Sequence, residues 1–371
     1  MKTINILHLL SVLLIATVFT YCESDTTTEI PDNTNFPTSF KVDIPSSISQ
    51  SSSLKSANSN DFSGKEVYQH LNNFIHVGEA AAEFVEEIMK AISVYGLNKP
   101  NEFNFTGEDD GRIKNIVIVD NSDFEGVTWQ HQLTITDADN ESNADGGKAL
   151  QVFWNTNPIK GIAILKPKNW DNSSTNNMNE TIFKIEYSEA GEYGYEASMI
   201  VSITNWKQDQ TNRFHMDNLK MFVGKTGDIV DVYGNSNHPD AYLFLEEPKG
   251  FSWAFVASGN NNTNIGVAEV GLPLSSLDES SRPVLLVDNS IKNVFTTQIR
   301  EWVFQTYGVY PSEETLDTLL VDTEAPGFFN SAGFIQGGEA PNDSYTELAS
   351  NVEVLVPYNP FKISQLTITF K

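Results

Sequence analysis

The sequence predicts a mainly β chain of the α+β class. It is expected to form a large antiparallel meander, shaped as a curved sheet or open barrel and covered by an N-terminal amphipathic helix and a helical insertion. Three observations carry this. Apolar and polar residues alternate with period two in segment after segment between 112 and 271, with no helical stretch between them. The connectors are rich in Asn, Asp and Gly, the chemistry of hairpin turns. Helical spacing is confined to two places, near 64–95 and 290–320. Of the 371 residues 40% are hydrophobic, ample for a packed core, so a wholly disordered chain is excluded.

In chain order, residues 1–21 read as an export signal. Lys2 is their only charge, and Ile6 to Phe19 form an apolar run too short for a membrane-spanning helix, which needs roughly 20 residues. Cys22, the one cysteine of the chain, follows directly in Phe19-Thr20-Tyr21-Cys22-Glu23-Ser24-Asp25. A thiol at this point resembles the lipobox of bacterial lipoproteins, although Tyr21 stands where that family carries a small residue. The acidic Glu23-Ser24-Asp25 resembles the tract that follows the cysteine in surface-displayed lipoproteins of the Bacteroidota. The resemblance implies a diacylated Cys22 and an outer-membrane, cell-surface location, and it covers about seven residues. Residues 22–63, dense in Ser, Thr and Asn, are expected to be a flexible tether. Within it Phe40, Val42 and Ile44 alternate as a short strand would. Residues 64–371 are expected to form one domain.

Ser63 with Glu66 three residues on is a capping-box start, and Val67, Leu71, Phe74, Ile75, Val85, Ile88 and Ile92 recur on one face up to Gly96. Gly78 is expected to kink this helix or split it. Strands are predicted over 112–119, 127–136, 149–165, 181–187, 195–204, 218–223, 228–233, 241–245, 251–258 and 265–271. Helices follow over 291–307 and from Ser312 to Leu320. A Gly-, Pro- and Asn-rich loop spans 322–345, and two closing strands are expected near 351–356 and 362–370.

Charge restricts the partners. There are 23 Lys and Arg against 49 Asp and Glu, and a product starting at Cys22 keeps 22 of the basic residues, for a net charge of −27. Such a surface repels phosphate backbones and anionic lipid headgroups, which argues against nucleic acid and against electrostatic membrane docking. The membrane is expected as a partner through the N-terminal lipid alone.

Chemical motifs are few. Gly250-Phe251-Ser252-Trp253-Ala254 lacks the second glycine of a nucleophile elbow and sits in an alternating strand. Gly224-Lys225-Thr226 lacks the glycine that opens a phosphate-binding loop. No two histidines of the exported chain stand four residues apart. The loop 137–146 offers alternate oxygen donors at Asp139, Glu141, Asn143 and Asp145, which suit Ca²⁺, while a solvated hairpin loop accounts for the same residues. No enzyme class and no other cofactor is supported.

Two binding readings remain. The outline of helix, meander and helical insertion is similar to the lipoprotein-carrier family, whose curved sheet holds an acyl chain. That analogy implies an apolar cavity lined by Trp129, His131, Leu133, Trp154, Met199 and Phe74. The other reading is a surface glycan binder that stacks sugars on exposed rings, with Trp170 and Trp206 as the candidates. A structural or adhesive surface protein is the third option.

Overall fold

A computed structural model of the chain describes residues 37, 39–50, 63–94, 101–173, 178–206, 214–247 and 249–371. Cys22 and the export signal lie outside the described residues. The chain is mainly β, with thirteen antiparallel strands and several helices among the described residues. Its contacts divide it into two compact units. The first holds residues up to 41, 80–190 and 369–371, and the second holds 42–79 and 191–368.

In the first unit the strands follow chain order: β1 (Asn101–Thr106), β2 (Ile113–Phe124), β3 (Val127–Asp137), β4 (Lys148–Thr156), β5 (Ile159–Leu165) and β6 (Ile182–Ser188). The predicted strand 149–165 is a hairpin, because Asn157-Pro158 turns the chain and Trp154 comes to face Gly161. The β3 alternation is realised as read: Trp129, Leu133 and Ile135 are buried on one side.

The second unit repeats the pattern with β7 (Ala197–Thr204), β8 (Asn218–Thr226), β9 (Ile229–His238), β10 (Phe251–Asn260), β11 (Ile265–Gly271), β12 (Gly327–Asn330) and β13 (Gly333–Gly337). Residues 241–245, expected as a strand, form bends instead. The expected loop 322–345 contains the β12–β13 hairpin. Gly327 is required there, because a Cβ at that position would lie 2.6 Å from the Tyr68 ring.

The helices are short α1 (Ser46–Ser49), α2 (Gly64–Val94), α3 (Pro167–Trp170), α4 (Ile291–Tyr307), α5 (Glu313–Leu319), α6 (Thr346–Val354) and α7 (Pro360–Ser364). Glu66 reaches back to the Ser63 N–H at 3.0 Å, as a capping box should. Gly78 does not split α2. It leaves room for the Met221 side chain, whose Cε would lie 2.3 Å from an added Cβ. Ser290 and Ser312 cap α4 and α5, and α4 ends on Gly308 in the left-handed region.

Two expectations fail at the ends of the chain. The closing strands are absent: Leu348, Val352 and Leu355 recur at helical spacing and pack on Ala254, Val256 and Val267, while Pro357 and Pro360 interrupt any ladder. The tether is also shorter than read, because residues 39–50 are docked. Phe40, Val42, Ile44 and Ile48 are buried, and Phe40 stacks on Tyr187 in the first unit. In the second unit the Ile44 N–H donates to Glu79 at 3.0 Å and the Ser47 N–H to Asn264 at 2.9 Å. The alternating apolar residues are thus buried without joining a ladder. The rest of the stretch, 22–36 and 51–62, lies outside the described residues.

Candidate functional site

The six residues expected to line one cavity are divided between the units. In the first, Trp129, Leu133 and Trp154 are buried. His131 is half-buried, with Nδ1 2.7 Å from Asp120 Oδ1 and its ring 5.2 Å from that of Trp154. In the second, Met199 is buried in β7, and Phe74 belongs to an aromatic cluster with Trp253, Phe251, Phe214, His70 and His238. Five of these six side chains are buried, and His131 is half-buried.

Inside that cluster His238 and Ser236 are fully buried and 2.7 Å apart, and His238 Nδ1 lies 3.0 Å from the Phe214 carbonyl. Burial lowers the imidazole pKa to about 3, against the opposing pull of the Phe214 carbonyl. At neutral pH this ring is an uncharged hydrogen-bonding link between strand and loop.

The candidate rings for glycan stacking are also largely enclosed. Trp206 is 5% exposed. Trp170 is half-buried, edge-on to Phe84 at 5.7 Å and tilted against Phe105 at 6.5 Å.

The loop proposed for calcium is held by ion pairs. Asp145 accepts from Lys166 at 2.8 Å, from Asn169 at 3.1 Å and from the Gly147 N–H at 2.9 Å. Burial alone would raise the Asp145 pKa, but these donors outweigh it and hold the carboxyl below the usual range. Asp139 lies 3.6 Å from Arg112, Glu141 accepts from Asn115 at 3.0 Å, and Asn143 is exposed. Beneath them, buried Lys114 bridges Asp110 at 2.9 Å and Asp137 at 3.5 Å, with Arg112 on Asp137 at 2.7 Å. Among the described residues no three of His, Cys, Asp and Glu gather as a metal-binding set.

A site the sequence did not disclose lies in the second unit. A cleft of about 650 Å³ opens between the first turns of α4, the bends at 243–246 and the segment that follows β11. Its wall is apolar where Leu243, Leu245, Phe251, Leu272, Leu274 and Val294 meet. Leu243, Phe251 and Leu272 are closed off by the core, whereas Leu274 is 50% exposed. Main-chain bonds set the frame: Leu272 N–H to the Asn289 carbonyl at 2.7 Å, and Ser252 N–H to the Pro273 carbonyl at 2.8 Å.

Polar groups come from α4 and the turn before it: Asn289, Asn293, Thr297, Gln298, Asp288 and Glu301. Asn289 and Asn293 turn their amide nitrogens to the Val284 and Val287 carbonyls, at 2.6 and 2.8 Å. The one faint sequence signal was the paired leucines, 243 with 245 and 272 with 274, beside a helix carrying Val294 off its buried stripe. None of it follows a known motif.

A second feature lies at the far end of α4. Phe304, Tyr307 and Tyr310 are 41%, 68% and 62% exposed, with Phe304 and Tyr310 stacked at 4.6 Å. Comparisons of the chain with protein-family models, with curated proteins and with solved structures find no match, so its likeness to other proteins adds nothing to this geometry.

Proposed function

We propose that the chain is a non-enzymatic, lipid-anchored protein of the cell envelope that binds a small hydrophobic ligand. The address rests on Cys22 directly after an apolar export segment. The binding reading rests on one observation, the cleft against α4, whose apolar wall sits beneath a polar margin. A volume of about 650 Å³ is in the range of small-molecule sites, which run from roughly 300 to 1,000 Å³. Burying exposed leucine against an apolar ligand favours association by about 25 cal/mol per Å².

The exposed rings of Phe304, Tyr307 and Tyr310 favour a second reading, capture of a surface glycan by stacking. One experiment separates the two. Native mass spectra of the full chain carrying Cys22→Ala, compared with spectra after organic extraction, are expected to show a co-purifying apolar molecule that is absent from a Val294→Trp variant. A clean apo mass in both, together with polysaccharide binding that Tyr307→Ala abolishes, would replace the cleft reading by the glycan one.

A further inference from the structure

The polar margin of the cleft restricts what its ligand is, an inference that rests on the cleft being the binding site. Its charged members are Asp288 and Glu301, and none of the residues lining it is Lys, Arg or His. The nearest cations along α4 are engaged elsewhere: Lys292 pairs with Glu324 and Arg300 with Glu313 at 2.6 Å.

The neutral members present acceptors, while the amide nitrogens and the Thr296 hydroxyl also carry donors. With their amide nitrogens on main-chain carbonyls, Asn289 and Asn293 have their oxygens left for a ligand. Gln298 Oε1 is shielded from solvent and has no hydrogen-bond partner among the described residues. The N-terminus of α4 could draw an anion, but Ser290 caps it, accepting from the Asn293 N–H. A carboxylate brought into this margin would face two like charges and no cation.

We infer that the cleft takes an amphiphile whose polar end donates hydrogen bonds and carries positive charge, a primary amine on a short apolar body. Fatty acids and other anionic amphiphiles are disfavoured by the two carboxylates, Lys249 beside Gly250 lying outside the lining. Asp288 and Glu301, the latter already accepting from Gln305 at 3.0 Å, would attract the ammonium, and the leucine wall its chain.

The test is calorimetric titration of the full chain, carrying Cys22→Ala, with octylamine, octanol and octanoate at pH 7. Octylamine is expected to bind at least tenfold more tightly than octanoate, with octanol between them. Glu301→Gln, an isosteric change on a partly exposed helix face, is expected to weaken octylamine about tenfold and leave octanol unchanged. Val294→Trp is expected to remove binding of all three while the melting temperature is kept. Octanoate binding as well as octylamine, or octylamine indifferent to Glu301→Gln, would overturn the amine assignment and leave the apolar cleft standing. Failure of all three probes, or binding that survives Val294→Trp, would remove the cleft reading itself.

Discussion

His238 links folding to pH through one buried proton site. Its folded pKa of about 3 lies below the ordinary value of 6.5, so the folded state holds the neutral ring. The unfolded chain takes up the proton as pH falls through 6.5, and the stability due to the neutral ring is lost progressively from there down to about 3. Urea unfolding between pH 7 and 4.5 is expected to show the wild type losing more stability than His238→Asn, at up to about 1.4 kcal/mol per pH unit. Equal losses in the two proteins would place the proton uptake elsewhere. The depressed carboxylates act lower on the scale. Burial raises the Asp110 carboxyl, but the Asn172 and Arg112 N–H groups and Lys114 outweigh it, so its contribution is lost only in stronger acid.

Elements were legible in proportion to how local their causes are. The start of α2 could be read from Ser63 and Glu66, because a capping box is completed within four residues. The β3 strand could be read from its alternation. Its neighbour 149–165 could not be divided on hydrophobicity, since both arms of the hairpin are apolar and the Asn157-Pro158 turn was overlooked. At 346–354 the valines favour strand by propensity, yet Leu348 and Val352 are four apart and a sheet face is waiting for them. The cleft has the same cause: its leucines lie outside the helices and strands, and only tertiary folding lays α4 beside them.

Glycines separate two kinds of close approach at this scale. A Cβ on Gly271 would sit 1.8 Å from the Leu285 carbonyl, which is main chain and held by the turn before α4. Gly271→Ala is therefore expected to cost about 3 kcal/mol in urea unfolding. Gly78→Ala meets the movable tip of Met221 and gains helix propensity worth about 1 kcal/mol, so a net change within about 1 kcal/mol is expected. Similar losses for both would mean that Met221 is as rigid as the backbone.

For the whole molecule, the docked segment 39–50 is the least expected feature, since its serine-rich surroundings hid four apolar residues that are buried. Fully burying side chains of this kind contributes roughly 1.5–3 kcal/mol each. A chain starting at residue 51 is expected to unfold at a markedly lower urea concentration than one starting at residue 37, by about 4 kcal/mol or more. Coincident unfolding curves would mean that the segment rests on the surface without adding to the core.

Under the proposed lipidation of Cys22, the same docking would set how far the protein stands from a bilayer. A fully extended chain covers at most about 3.5 Å per residue, so a free tether from Cys22 to Ser63 would have a contour of about 140 Å. With Phe40 already seated, only the length from Cys22 to Ser39 remains, about 60 Å at full stretch. A chain held by its lipid at Cys22 is thereby confined to a shallow layer over the membrane, within range of amphiphiles leaving the bilayer and below the outer reach of long surface polymers.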